Sequence, residues 1–255
     1  MTLVVEAAGV RKAFAGVVAL DDLEIQIEEG ALFGLVGANG AGKTTALNVI
    51  GGQVRADSGT VRVADQDIGD LQVWQRAARG VGRTFQESRL WFDLTVEEHL
   101  RVAIGASCRI GGTSSRDIAD ICSAVELPKA TLKRMPSQMR LLDRRRVELA
   151  MAALNASNLL LVDEIGAGLD VEETRTLYRL ITQLIDLRRV RAAILVEHKL
   201  ELLAAFANEI GLIEDGRIRQ RASCKDSGQV ADLMDRMFDR RRCGVAENSQ
   251  PWRIP

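Results

Sequence analysis

The sequence has 255 residues, of which 47% are hydrophobic and 27% charged, and its formal net charge is −1. This length suits one large domain or one domain with an insertion, and the balanced charge argues against a generally basic surface that coats nucleic acid. No stretch reaches the roughly 18 apolar residues that span a bilayer and the start lacks a secretory signal, so we expect a cytoplasmic protein.

The first third of the chain has the patterns of β-strands. Apolar and polar residues alternate over 23–28 and again over 61–63, which is the period of a half-buried strand. A nearly continuous apolar run at 32–36 ends in glycine, as a buried parallel strand does. Residues 44–50 follow it with a helical pattern.

The middle of the chain, residues 87–157, has helical periodicity instead. Two segments place apolar residues at the spacing of one helix face: Ile118, Ile121, Cys122 and Val125, then Val147, Ala150, Met151 and Leu154. We interpret this region as a helical insertion.

The last third alternates strands and helices. Apolar strands are predicted at 159–162, 193–196 and 210–213, with an amphipathic helix between the first two. This alternation indicates an α/β fold with a mostly parallel sheet and helices on its faces. A final amphipathic helix is predicted over 227–240, followed by a loose tail over 241–255.

A glycine-rich loop joins the strand at 32–36 to the helix at 44–50. Its sequence, GANGAGKT at 37–44, fits GxxxxGK[ST] in the required strand–loop–helix context. The glycines let several backbone N–H groups converge on one point, where the helix also presents its positive end. Lys43 adds a cation for terminal phosphates and Thr44 a hydroxyl for Mg²⁺. An accidental glycine-rich turn is disfavoured because strand, loop and helix agree.

Carboxylates and a histidine follow two later strands. Asp163 and Glu164 end the run LLLVDE, at the strand end where such sheets bind ligands. Asp163 is the candidate for holding the Mg²⁺ water shell and Glu164 for activating water; the alternative is that both merely begin a loop. His198 is a candidate γ-phosphate sensor, although a lone histidine is more often structural. Gln86 alone says little.

Together these motifs resemble the ATP-binding subunits of ABC transporters: GANGAGKTT at 37–45, TFQ at 84–86, LLLVDE at 159–164 and VEH at 196–198. FQESRL at 85–90 with LTV at 94–96 is similar to the subunits of branched-chain amino acid and related uptake systems. The resemblance spans about residues 3–240. It implies a P-loop NTPase (RecA-like) fold with an N-terminal antiparallel β part, in which an ABC ATPase domain (1–240) has a core (1–86 and 158–226) and a helical subdomain (87–157).

The resemblance also implies roles for single residues, with ATP and Mg²⁺ as cofactors. Phe14 would stack on adenine, and Asp170 would belong to the D-loop. The residues that would bind Mg²⁺ are Thr44, Gln86 and Asp163, and those that would act in catalysis are Glu164, His198 and Gln86. The ATP-binding residues would be Gly37, Asn39, Gly40, Ala41, Gly42, Lys43, Thr44 and Thr45. In this family two such subunits close head to tail with ATP between them. They lie at the inner face of the cell membrane, where they bind permease subunits, and the permease receives its solute from a solute-binding protein. Trp91 and Phe92 would face the permease groove or form a buried aromatic pair.

One motif departs from the family pattern. Where the signature LSGGQ is expected, this chain has Met139, Arg140, Leu141, Leu142 and Asp143. Leu142 is bulky where close backbone approach is needed, and Asp143 sets an anion near a phosphate, while Arg140 partly compensates. A signature acts on the partner's ATP, so we expect a heterodimer with one active and one degenerate site.

The sequence therefore predicts an ATPase that powers import of branched-chain amino acids or related small solutes. One alternative is an ABC-type ATPase outside transport, although the extra domains usual for that class are missing from the sequence. Another is a regulatory nucleotide-binding subunit with weak or no hydrolysis, which the intact Glu164 disfavours. The arginine run at 144–146 is typical of a solvated face, so we expect no nucleic-acid partner.

Overall fold

The computed structural model describes residues 2–107 and 115–244. These residues form ten strands: β1 (Leu3–Phe14), β2 (Val17–Glu28), β3 (Leu32–Val36), β4 (Ser58–Val63), β5 (Gln66–Asp67), β6 (Val81–Arg83), β7 (Leu159–Asp163), β8 (Ala192–Val196), β9 (Glu209–Glu214) and β10 (Arg217–Ser223). They also form eight α-helices: α1 (Lys43–Gly51), α2 (Val73–Ala77), α3 (Val96–Ser107), α4 (Ser115–Ala124), α5 (Leu141–Asn155), α6 (Val171–Asp186), α7 (Leu200–Ala204) and α8 (Ser227–Gly244). Helix α8 passes its predicted end at residue 240, and the predicted tail lies outside the described residues from 245 onward.

The strands form two sheets. A four-stranded antiparallel sheet has the order β2-β1-β4-β5, and a six-stranded sheet has the order β10-β9-β3-β8-β7-β6. Every neighbouring pair of the larger sheet is parallel except β9 with β10. The predicted α/β fold, with a mostly parallel sheet and an N-terminal antiparallel β part, is confirmed.

Strands β3, β7 and β8 in the middle of the larger sheet are buried on both faces, which explains their continuous apolar sequences. Alternate residues of β7 enter different cores because successive side chains point to opposite faces. Leu159 and Leu161 join a core with α1 and the antiparallel sheet, whereas Leu160 and Val162 join a core with α5 and α6. The sheet is therefore a rigid support for the loops that follow its strands.

Helices α3 to α5 lie between β6 and β7 in the chain, where the helical insertion was predicted. Helix α3 packs against α5, and Leu100, Val125 and Val147 join the same core as the α5-facing side of the sheet. This packing sets the first turn of α5 beside the loops at the sheet edge. In the described part of the chain, each helix is too short or too polar to cross a membrane.

Candidate functional site

The predicted functional residues lie along one edge of the larger sheet. Strands β3, β8, β7 and β6 are neighbours and run parallel, so their carboxyl ends meet there. The segments at these ends contain the phosphate loop (residues 37–45), His198, the pair Asp163 and Glu164, and Gln86. Residues far apart in sequence are thereby brought to one site.

The phosphate loop is shaped by two glycines with left-handed backbones. Gly40 has a φ of 81° and Gly42 a φ of 109°, which glycine adopts without steric cost. A Cβ added to Gly42 would lie 2.6 Å from the carbonyl oxygen of Ala19, so β2 presses against the loop. Helix α1 starts immediately after, with the Ala46 N–H donating to the Gly42 carbonyl at 2.8 Å.

Lys43 is folded into this loop. Its side chain is buried, and Nζ donates to the carbonyls of Gly37 and Ala38 at 2.9 Å each. Burial lowers the pKa of Lys43, and the nearby carboxylates of Glu164 and Asp163 oppose that lowering. A cation in this position is suited to pairing with phosphate oxygens.

The other predicted loop residues frame the same concavity. Gly37 and Gly42 are buried, Ala41 and Thr45 are half-buried, and Asn39, Gly40 and Thr44 are exposed. Thr44 lies in the first turn of α1, so its hydroxyl is accessible to a ligand held by the loop.

Asp163 is a buried carboxylate with one free oxygen. Its Oδ2 accepts from Nη2 of Arg83 at 3.1 Å, and both side chains are less than a tenth exposed. Among the described residues its Oδ1 has no hydrogen-bond partner. Burial raises the pKa of Asp163, with Arg83 acting against that rise. A buried unpaired carboxylate oxygen fits a cation ligand.

Removing the arginine partner should be strongly destabilising. In Arg83→Met the charge of Asp163 stays buried without compensation, which costs about 3–5 kcal/mol of unfolding free energy, and the pKa of Asp163 rises further. A raised pKa in the folded state means that the folded protein binds the proton of Asp163 more tightly than the unfolded chain does. The loss of unfolding free energy in Arg83→Met therefore becomes smaller as the pH falls. Urea unfolding at several pH values measures this. The exposed neighbour Arg89 supplies the control, Arg89→Met; equal losses in both variants would contradict the role of Arg83.

Glu164 joins the two other predicted catalytic residues. Its Oε1 accepts from His198 Nε2 at 2.5 Å and its Oε2 accepts from Gln86 Nε2 at 2.8 Å. Its backbone is left-handed, with a φ of 44°, and its N–H donates to the Val196 carbonyl at 3.1 Å. A strained backbone of this kind needs support from its surroundings and often occurs at functional sites.

The remaining predicted residues, Phe14 and Asp170, lie at the end of β1 and at the start of α6. Phe14 ends β1, is 44% exposed and has Lys12 Nζ 5.4 Å from its ring centroid, so its ring is open to stacking. Asp170 is the N-cap of α6, where its carboxylate accepts from the Glu173 N–H at 2.8 Å. That capping bond alone accounts for an aspartate here.

The segment at the signature position leads into α5. Arg140 is the exposed N-cap residue, Met139 is buried, and Leu141, Leu142 and Asp143 are half-buried in the first turn. Asp143 lies 3.6 Å from Arg146. The helix therefore begins with two leucines and an aspartate.

Trp91 and Phe92 are 52% and 54% exposed, so a buried aromatic pair is wrong. They also lie outside the lining of a mostly apolar cleft of about 280 Å³ between β6, α2, α3 and α5. Val73 and Val102 line that cleft and are more than two fifths exposed.

Sequence reasoning missed two arginines that contact the predicted site residues, Arg83 and Arg145, whose side chains are 7% and 6% exposed. Arg83 neutralises Asp163, and Arg145 donates to the Gln86 carbonyl at 3.0 Å. The spacing of Arg145 and Glu148 was the available signal, because residues three apart meet on a helix surface. That spacing does not single out Arg145, because Arg144 lies four residues before the same Glu148 and residues four apart also meet on a helix surface.

Comparison with known proteins gives a consistent picture. The family model for ABC transporter matches residues 20–167, more than half of the chain. LivG of Escherichia coli, a high-affinity branched-chain amino acid transport ATP-binding protein, is 30% identical over 82% of this chain and 87% of LivG. The arabinose import ATP-binding protein AraG of Ralstonia nicotianae is 31% identical over 94% of this chain, which spans only 48% of AraG.

Solved structures share the fold at lower identity. MJ1267, an ATP-binding cassette of an ABC transporter in its ADP conformation, is similar with a TM-score of 0.82 and 19% sequence identity. The superposition covers 94% of this chain and 98% of MJ1267. The dimeric cassette MJ0796 bound to ADP and Pi has a TM-score of 0.75 at 22% identity, over 87% and 99% of the two chains.

Proposed function

The chain belongs to the ABC transporter family, and from that premise we propose that it binds and hydrolyses ATP to power a membrane transporter. The observation that supports hydrolysis is the contact of Glu164 with both His198 and Gln86 at the sheet edge that holds the phosphate loop. A phosphate-binding loop alone gives binding, whereas turnover needs a base for water.

Each residue has a chemical task in this proposal. The amides of the phosphate loop and the Lys43 ammonium bind the triphosphate, and Phe14 stacks on the adenine. Glu164 accepts the proton of the attacking water, while His198 and Gln86 orient Glu164 and the terminal phosphate. Thr44, Gln86 and Asp163 would hold Mg²⁺, which neutralises charge on the phosphates; the free Oδ1 of Asp163 fits that task.

Phosphate release from ATP by the purified chain tests hydrolysis directly. We expect turnover that requires Mg²⁺ and stops when the metal is chelated, because the triphosphate charge is then not neutralised. ATP affinity, measured in parallel, separates lost binding from lost turnover. Binding without turnover, both by the chain alone and by the chain together with the partner subunit isolated with it from native membranes, would contradict an ATPase.

We also propose that the chain pairs with a different ATP-binding subunit. In the head-to-tail dimer of this family, its Lys43, Glu164 and His198 face the partner's signature, and that site is active. The partner's own ATP faces Arg140 to Asp143, where Leu142 blocks close backbone approach and Asp143 repels phosphate. One site of the pair is then degenerate.

Restoring the signature should activate the chain on its own. We expect the variant with Arg140→Ser, Leu141→Gly, Leu142→Gly and Asp143→Gln to hydrolyse ATP about tenfold faster than the unaltered chain, because backbone donors then reach the opposite γ-phosphate. Turnover of each chain alone, with thermal unfolding as the control for the added glycines, measures this. Fast turnover by the unaltered chain alone, unchanged by the restoration, would refute the degenerate site.

The membrane partner and the cargo are proposed from relatives and from one surface. The cleft lined by Val73 and Val102 beside the Gln86 loop suits an apolar helix of a permease subunit, which would hold this chain at the inner face of the cell membrane. LivG supports branched-chain amino acids or related small solutes as cargo, received through a solute-binding protein. Purification from native membranes, followed by identification of the associated subunits, tests both.

A regulatory nucleotide-binding subunit is the second candidate, favoured by the residues at 139–143. It predicts ATP binding without turnover. Replacement of Glu164 by glutamine decides between an ATPase and a regulatory subunit, because only the ATPase has a turnover that this replacement can abolish.

A further inference from the structure

Three consecutive arginines at the start of α5 have different surroundings. Arg144 Nε donates to the Met139 carbonyl at 3.1 Å. Arg146 pairs with Glu126 and Asp143 at 3.4 and 3.6 Å. Arg145 is the buried one, at 5% exposure, so the run is not a solvated basic face.

Arg145 makes two directed contacts. Its Nη1 donates to Oε2 of Glu148 at 2.9 Å, with side chains 6% and 9% exposed. Its Nη2 donates to the backbone carbonyl of Gln86 at 3.0 Å. A buried guanidinium needs an anion and fixed acceptors, and its planar shape holds both in one geometry.

The residue fixed by this contact is the one whose side chain reaches Glu164. Gln86 Nε2 donates to Glu164 Oε2 at 2.8 Å, although Gln86 itself is exposed and lies in a loop. A loop side chain keeps such a contact only when its backbone is held. Arg145 supplies that hold from α5, an element of the helical insertion.

We propose that Arg145, held by Glu148, is a positioning residue that keeps Gln86 on the catalytic carboxylate Glu164. This inference rests on the proposed ATPase function. The alternative is that the Arg145–Glu148 pair only stabilises α5. The two differ in whether the effect of Arg145 passes through the side chain of Gln86.

A double-mutant cycle separates these roles. In the otherwise unaltered chain we expect Arg145→Met to lower kcat about tenfold and leave ATP affinity within about threefold. In a Gln86→Ala chain, which lacks the positioned side chain, the same change should lower kcat less than about twofold. Arg146→Met removes two ion pairs from the same helix without touching Gln86, and it should leave kcat unchanged in both backgrounds. Equal losses from Arg145→Met in both backgrounds would overturn the proposal.

Hydrogen exchange tests whether Arg145 fixes the backbone of Gln86, and this measurement does not depend on ATP hydrolysis. Amides of residues 86–90 should exchange about fivefold faster in Arg145→Met and remain unchanged in Arg146→Met. Unaltered exchange in Arg145→Met overturns the proposal, whereas absent turnover in the unaltered chain, both alone and with its partner subunit, overturns the ATPase function instead. If Arg145→Met does not fold, Arg145→Met with Glu148→Leu removes both buried charges together and takes its place in both measurements.

Discussion

ATP turnover should fall by about 10³-fold when Glu164 is replaced by glutamine, since a positioned general base contributes about 10²–10⁴ to a rate. Glutamine has nearly the same shape, so its amide oxygen can still accept from His198 and its NH2 can donate to the side-chain oxygen of Gln86 once that amide flips; the two partners now lie 2.5 and 2.8 Å from the carboxylate oxygens. The site is preserved while the proton acceptor is lost. We therefore expect Glu164→Gln to bind ATP with unchanged affinity and to retain it unhydrolysed.

Single-turnover measurements of bound nucleotide give the result directly, because they separate binding from chemistry. Glu201→Gln, an exposed carboxylate in α7, is the matched control and should turn over like the unaltered chain. Equal turnover in Glu164→Gln and the control would assign the chain to the regulatory class. Loss of ATP affinity together with turnover would show that Glu164 supports the phosphate loop instead of activating water.

The sequence was most informative where chemistry needs a fixed residue type. The strand at 32–36, the phosphate loop and the residues at the ends of β7 and β8 were predicted before the structure, because buried parallel strands are continuously apolar and phosphate loops need glycine. Their meeting at one sheet edge follows from parallel pairing alone. The separate roles of these residues stay predictions until they are tested.

The missed elements have local patterns that conflict with their structure. Strand β1 runs from Leu3 to Phe14 but contains Gly9 at a φ of 61° and several register shifts against β2, so its alternation is interrupted. Helix α2 has only five residues, too few for a helical period to be visible. In β1, pairing with its neighbouring strands overrides the local signal.

The buried arginines next to the site escaped prediction for a different reason. Arg83 and Arg145 are buried because Asp163, Glu148 and the Gln86 carbonyl lie next to them in space, and two of these three partners are more than 50 residues away in sequence. Local patterns carry no record of such partners. The carboxylate of Asp163 was predicted from its strand end, whereas its arginine partner was not.

Lys43→Ala should weaken ATP binding by about 10–100-fold, because a hydrogen bond to a charged group is worth about 1.5–3 kcal/mol. The free energy of unfolding should change little. Burial lowers the pKa of Lys43, so removing the buried cation relieves a cost of folding, whereas the carbonyls of Gly37 and Ala38 lose their donor. Titration with ATP and thermal unfolding without nucleotide separate the two effects. Lys199→Ala, an exposed lysine beside His198, is the control. Undiminished affinity in Lys43→Ala would remove the basis of nucleotide binding at this loop, and with it the account of ATP hydrolysis.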